Sequence, residues 1–454
     1  MRAKSVITLI LLLIASSGRI YATPHDGTSD SQQAADCDWW TLFEDPLLDS
    51  LVETGVKRNY NVAAAAHRIS VVRAQLGSAR AAYYPTIGLS AGFNADRISG
   101  ATGTGAPHNA TESSYWSATA TMSWEIDVFG KITSRVREQK ALVNVSAAEY
   151  DGVELSVEAE IASAYINLRT YQAQLEVAKN HIDRQDRVVK ITEARHECGL
   201  ASMLDVSQAR TVYYSTSASV PLLETSITTT RNALAVLLAT SPDSLPAALD
   251  SAATLPQYRQ LVGHEIALEQ LRRRPDIVAA ERNIEASANA LGIARKEYLP
   301  SLTITGSIGT EAHSMKNLFT GKSFVYSVGP ALSWTVFDGF GRRYADITAR
   351  ENLELQIENY NLTLATAVEE ADNAMAAYVG ALKYIEANEM YVDESRRSYE
   401  LSIDLYKQGL TAFTNVVSAQ LNLLESQNTL VSAQGRALTA LVSLHKALGG
   451  GCIK

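Results

Sequence analysis

Several things are scarce in this sequence, and each shortage excludes a class of protein. Only three cysteines, Cys37, Cys198 and Cys452, stand among 454 residues. Their spacing rules out a CxxC metal or redox site and leaves room for one disulfide at most. The eight histidines are scattered, with neither HExxH nor HxxxH among them, so no zinc-hydrolase ligand set is present. Gly321-Lys322-Ser323 imitates the end of a phosphate-binding loop, but Lys316 stands where the first glycine is required. No enzyme, metal or cofactor is expected. Past the N-terminus no segment holds about 20 uninterrupted apolar residues, which excludes a spanning helix. Positive charge is short as well: 40 Lys and Arg face 49 Asp and Glu, for a net charge of −9. Without a basic tract interleaved with aromatics, nucleic acid is not an expected partner. The short run Arg272-Arg273-Arg274 before Pro275 reads as a solvated loop at a helix start.

The N-terminus has the pattern of an export leader. Arg2 and Lys4 precede the apolar run Val6–Ala15, and small residues follow. Cleavage is expected after Ala22, with Ser17 as the alternative, so the leader is residues 1–22 and the working chain 23–454. A lipid-anchored chain needs a cysteine directly after the apolar run. Cys37 lies far behind it, after Asp36, so the chain reads as exported without lipidation.

Alternation of side chains is clearest in Tyr115–Lys131. Trp116, Ala118, Ala120, Met122, Trp124 and Ile126 share one face; Tyr115, Ser117, Thr119, Thr121, Ser123 and Glu125 share the other. Phe129-Gly130-Lys131 breaks the pattern and a helical one begins. The passage recurs at Phe324–Arg342, where Phe324, Tyr326, Val328, Pro330, Leu332 and Trp334 share a face. More of the chain repeats in the same way. Tyr83–Ile87 matches Tyr298–Leu302 at an offset of 215 residues; Ser123-Trp124 matches Ser333-Trp334, and Gly199-Leu200 matches Gly409-Leu410, at 210. The chain is therefore a duplication: repeat 1 at about 39–240, a linker at 241–270 and repeat 2 at about 271–450.

Both repeats have one order of elements. In the first, a helix over roughly 46–83 ends at Pro85, and a strand of about 84–96 follows. The Gly-, Thr- and Ser-rich stretch 97–114 reads as a loop, and the second strand covers about 115–129. Lys131–His196 contains no proline and one glycine; its 66 residues make a helix about 100 Å long at ~1.5 Å per residue. Gly199 suits a tight turn, and a last helix to about Ala239 carries Pro221. The second repeat gives strands at about 299–310 and 324–338, a long helix at about 342–408, and a final helix to about Leu448.

Four strands with an apolar face and a face of Ser, Thr and Gly suit two settings. A soluble sandwich would bury the apolar face. The scarcity of Lys and Glu on the polar face favours a water-filled lumen, with the apolar face toward lipid. Strand edges cannot stay unpaired in lipid, and four strands are too few for an open lumen. Symmetric assembly follows, and a homotrimer gives twelve strands. Tyr84, Trp116, Trp124, Phe324 and Trp334 at strand ends fit membrane girdles. The fold class read from these elements is an α+β membrane protein with a trimeric 12-stranded β-barrel, four strands per chain. Residues 57–83 and 201–239 together match the length of Lys131–His196, so two shorter helices stack end to end beside each long one. The linker and both termini then gather at the junction. That brings Cys37 and Cys452 close enough for a disulfide, the other reading being three unpaired thiols. A coiled-coil adhesin is a rival, but the amphipathic strand pairs and the repeat argue against it.

SWEIDVFGK at Ser123–Lys131, RRPDI at Arg273–Ile277, YLPSLTITGSIG at Tyr298–Gly309, SWTVFDGFGRR at Ser333–Arg343 and the paired Gly-Leu turns resemble the TolC/NodT-type outer membrane factors. The resemblance covers Trp39–Leu448. It implies a homotrimeric exit duct whose 12-stranded outer-membrane β-barrel is continued by a long periplasmic α-helical coiled-coil barrel. It also implies partners: a periplasmic adaptor protein and an inner-membrane RND-type transporter, with small-molecule efflux as the function. The alternative within the class is the outer-membrane channel of a type I protein-secretion system. A gate is implied at the tips, with Asp205 at an acidic lock position and Tyr406 as its partner. Thr411 stands where an arginine is usual, and Asn415 and Ser418 occupy two ring positions that are usually acidic; Thr414 lies among them. Taken alone, Asp205 reads as a first-turn carboxylate favoured by the helix dipole. Gly199-Leu200 and Gly409-Leu410 are the turns expected to contact the adaptor.

Overall fold

A computed structural model describes residues 38–99, 111–251, 254–258 and 271–450. The leader, Cys37 and Cys452 lie outside the described residues. In chain order the main elements are α1 (Pro46–Arg58), α2 (Tyr60–Ala81), β1 (Thr86–Ile98), β2 (Thr111–Ile126), α3 (Lys131–Glu197) and α4 (Met203–Leu237). After the linker come α5 (Pro275–Lys296), β3 (Ser301–Ala312), β4 (Phe324–Ser333), α6 (Gly341–Lys407) and α7 (Phe413–Ala447). The duplication is visible in the lengths. α3 and α6 have 67 residues each, α4 and α7 have 35, and α2 and α5 have 22. Among the described residues no helix is long and apolar enough to cross a membrane. The chain divides into two compact units.

One unit comprises Ala74–Lys140 and Ala286–Leu353. It holds a four-stranded antiparallel sheet in the order β1-β2-β3-β4. The register puts Leu89 opposite Ala120, Ala120 opposite Ile308 and Ile308 opposite Tyr326. Directly opposed residues share a face, so the apolar sets of all four strands fall on one side. Ser90, Thr119, Gly309 and Val325 form the equivalent row on the other. β1 and β2 reach further into the expected loop than composition indicates, since Arg97 and Glu112 face each other across the pair with an ion pair at 3.2 Å. β4 stops earlier than its alternation does. Beyond Ser333 the chain is drawn toward the start of α6, where Arg342 donates to the carbonyl oxygens of Thr335 and Glu297 and to Asp338.

The two strand-to-helix joints are built alike. Asp127 Oδ1 accepts from the Ile132 amide at 2.9 Å and Oδ2 from the Thr133 amide at 2.8 Å, which satisfies free donors at the start of α3. Asp338 accepts from the Arg342 amide at 3.0 Å at the start of α6. Each joint is pinned by a tryptophan: Trp124 Nε1 donates to the Tyr83 carbonyl at 2.9 Å, and Trp334 Nε1 to the Tyr298 carbonyl at 3.0 Å.

The second unit holds α1 and the greater part of the helices, over residues 38–73, 141–285 and 354–450. The first helix is not continuous over 46–83 as its sequence indicates. It breaks at Asn59, whose Oδ1 accepts from the Asn61 amide at 2.8 Å and whose Nδ2 donates to the Leu237 carbonyl at 2.8 Å. The start of α2 thus meets the last turn of α4. Repeat 2 makes the same joint with another residue: Arg274 Nη1 donates to the Ala447 carbonyl at 2.9 Å, joining the start of α5 to the end of α7. Arg274 is not the solvated loop residue that the arginine run indicates. It is 7% exposed and pairs with Asp276 and Glu370, both at 2.7 Å. Burial of its stem and four hydrogen bonds explain the difference.

The main core gathers around these junctions. Trp39, Phe43, Leu48, Ile161, Tyr165, Ile166, Leu168, Leu234, Leu249 and Leu441 belong to it. Part of the linker is fixed there: Arg169 donates to the Ser251 carbonyl at 2.8 Å, and Gln172 Nε2 to the Leu249 carbonyl at 2.6 Å. Near the N-terminus, Trp39 stacks on His445 of α7 with ring centroids 5.3 Å apart, so the two ends of the described chain meet at this level. A smaller core near the C-terminal ends of the long helices contains Ala209, Phe413 and Val416.

Candidate functional site

Two features stand out: a four-stranded sheet with one apolar and one hydroxyl-rich face, and a helical end where two tight reversals lie. On the sheet, the apolar face is open. Ile87, Leu89, Phe93, Tyr326, Val328 and Leu332 are all exposed, Leu89 at 85%. A chain that left this face to water would lose the benefit of burying it, ~25 cal/mol per Å². The opposite face carries hydroxyls and glycine, and its charges, Asp96, Glu125 and Glu311, are few. Among the girdle residues, Tyr84, Phe324 and Trp334 are exposed. Trp116 packs on Phe93 at 4.8 Å and Trp124 is half-buried through its bond to Tyr83. β1 and β4 are the outer strands of the sheet, and in lipid their free edges need partners.

The helical end is made by two reversals with the same hydrogen bonds. The Gly199 amide donates to the His196 carbonyl at 2.8 Å and the Leu200 amide to the Arg195 carbonyl at 2.8 Å. Gly409 and Leu410 do the same to Tyr406 at 3.0 Å and Leu405 at 2.9 Å. This is the Schellman pattern, and its left-handed position requires glycine: φ is +73° at Gly199 and +74° at Gly409. Leu200 and Leu410 follow, each 69% exposed.

Side chains separate the two reversals. Ser202 caps α4, with its Oγ accepting from the Asp205 amide at 3.2 Å while Asp205 Oδ2 accepts from the Ser202 amide at 3.1 Å. The carboxylate thus has the reciprocal capping role at a helix start. The first residue before α7 is Ala412, which offers no cap; Asn415 Nδ2 instead donates to Thr411 Oγ1 at 2.8 Å. Thr414, Asn415 and Ser418 are exposed on the first turns of α7. Tyr406 is half-buried, its ring 5.1 Å from that of Phe413. Its hydroxyl is buried without a hydrogen-bond partner. Burial raises its pKa first, Asp205 adds to this and Arg195 opposes it. The Arg195 guanidinium lies 4.8 Å from the Tyr406 ring centroid. Asp205 and Tyr406 are therefore brought into one neighbourhood without a hydrogen bond between them. Sequence reasoning missed Ser202, Arg195 and Phe413. The Ser-x-x-Asp spacing signals the cap; nothing local in the sequence points to Arg195.

Residues 51–240 and 268–450 match the family described as outer membrane efflux protein. The chain belongs to the outer membrane efflux protein family. Curated relatives include the toluene efflux pump outer membrane protein TtgF of Pseudomonas putida, 28% identical over 96% of this chain and 90% of its own. Nodulation protein T of Rhizobium leguminosarum bv. trifolii is 27% identical over 91% of this chain and 87% of its own. Among solved structures, the outer-membrane channel OprN superposes with a TM-score of 0.85 at 27% identity, over 91% of this chain and 92% of that one. VceC from Vibrio cholerae gives 0.82 at 26% identity, over 91% and 98%.

As an outer membrane efflux protein, the chain is an exit duct of an efflux pump, set in the outer membrane with a periplasmic helical extension. Its fold is that of the trimeric channels, so the free edges of β1 and β4 meet those of neighbouring copies and twelve strands close the barrel. The exposed apolar face then lies against lipid and the hydroxyl face against water.

Proposed function

We propose that this duct exports small amphiphilic organic molecules, received from an inner-membrane RND-type transporter through a periplasmic adaptor, and that it performs no chemistry on them. The observation that carries this reading is the sheet: an apolar face shared by all four strands and exposed most on the outer strands β1 and β4, opposed by Ser, Thr and Gly with few charges. A wall of that kind passes mixed cargo without holding it. Relatives named for toluene efflux and pyoverdine export support a small-molecule cargo. The leader, residues 1–22, is removed on export in this reading.

The tips of the helical hairpins are the closed end of the duct. Asp205, Tyr406, Thr411, Thr414, Asn415 and Ser418 form the gate region, and the turns Gly199-Leu200 and Gly409-Leu410 contact the adaptor. The exposed leucines offer apolar area, and the glycines hold the turn that presents them. With Thr411, Asn415 and Ser418 uncharged, closure depends weakly on ionic strength.

The test is a deletion strain complemented with the wild-type chain. Accumulation of a fluorescent dye and sensitivity to organic solvents are expected to rise on deletion and return on complementation. Unchanged accumulation, with loss of a secreted protein from the medium, would replace this reading by protein secretion.

A further inference from the structure

We propose that Arg195 is a positioning residue of the gate: its guanidinium, seated on the Tyr406 ring, latches the end of α3 to the end of α6. This rests on the reading of the tips as the duct's closed end. Arg195 and Tyr406 come from different repeats, so their contact ties one helical hairpin to the other within a single chain.

Three observations converge. The guanidinium carbon is 4.8 Å from the ring centroid, inside the range of an attractive cation–ring contact. Tyr406 Oη and Arg195 Nε are both buried with no hydrogen-bond partner, so the hydroxyl does not hold the hairpins and the ring face does. The nearby polar groups make their bonds elsewhere: Asp205 Oδ2 accepts from the Ser202 amide, and Thr411 Oγ1 accepts from Asn415 Nδ2. Phe413 packs at 5.1 Å from the same ring and holds it in place, while the backbone carbonyls of Arg195 and Tyr406 both accept bonds in the tip turns. Moving either tip therefore moves one side of the contact. An interaction of this class is weak in one copy and appreciable in three, which suits a gate that must release.

Single-channel recording in planar bilayers tests the latch, on variants shown to be trimeric in detergent. Arg195→Gln and Tyr406→Leu are expected to raise the open fraction about tenfold or more. Arg195→Met keeps the apolar stem and is the second variant if Gln perturbs assembly. Tyr406→Phe keeps the ring and is expected to behave as wild type, and Arg195→Lys is expected to restore most of the closure lost in Arg195→Gln. Opening by Tyr406→Phe equal to that of Tyr406→Leu would overturn the latch, because the hydroxyl would then be the holding group. Unchanged conductance in trimeric Arg195→Gln and Arg195→Met would overturn it too. Asp205→Ala separates the two readings. If it opens the channel while the Arg195 variants do not, the tip remains a gate and the latch falls. If no tip variant changes conductance, both fall together.

Discussion

Ionising Glu158 works against the fold. This residue of α3 accepts a hydrogen bond from Trp39 Nε1 at 3.1 Å. Burial pushes its pKa up from 4.5 to about 7; Glu154 and Asp38 push the same way, and the Trp39 bond opposes them. A rise of that size corresponds to ~3 kcal/mol between the two protonation states. Between the two pKa values the folded chain keeps a proton that the unfolded chain has released. Stability therefore falls as pH rises through that window, and the full penalty stands above the higher value. Glu158→Gln retains an oxygen that can accept from Trp39 and cannot ionise. Heat-induced unfolding of the detergent-solubilised trimer, followed by circular dichroism, provides the assay. At about pH 8 the variant is expected to melt several degrees above wild type, at roughly 2–4 °C per kcal/mol for a large domain. At about pH 5 the two should melt together, because the wild-type carboxyl is then neutral. An equal gain at both pH values, or none at the higher one, would refute the assignment of the cost to ionisation.

Leu89→Lys places a charge toward lipid and is expected to cost ~2–4 kcal/mol if it lies near the midplane, whereas Ser90→Lys faces water and should be mild; equal membrane yields of the two would contradict the register. Arg274→Ala removes the bonds to Asp276, Glu370 and the Ala447 carbonyl and is expected to cost ~2–3 kcal/mol, since the two carboxylates left behind reach solvent. Thermal unfolding reads that loss. Gly409→Ala meets no neighbouring atom and should cost ~1–2 kcal/mol through left-handed backbone alone, seen as faster protease cleavage at the tip.

Most of the architecture was legible because duplication and period are carried by many residues at once. The alternation of Trp116–Ile126 and the proline-free run after Lys131 depend on no single side chain, and the structure reproduces both. Features set by one long-range contact were not legible. Asn59 looks like any polar helix residue until the Leu237 carbonyl is beside it. Arg274 shares a run with two exposed arginines, and only Glu370, far along the chain, marks it as buried. At the tip, the Ser202–Asp205 cap is local and could be read from spacing. The seat of Arg195 on Tyr406 joins residues from different repeats, and no periodicity encodes it.

The paired reversals carry a consequence for whatever docks on them. Each chain presents two turns with the same backbone bonds and equally exposed leucines, yet the flanking side chains differ: Ser202 and Asp205 beside one, Ala412 and Asn415 beside the other. A contact confined to the backbone and the leucine meets two equivalent sites per chain. One that reaches the flanking charge meets a single site, so the number of sites is decided by how far from the leucine the contact extends.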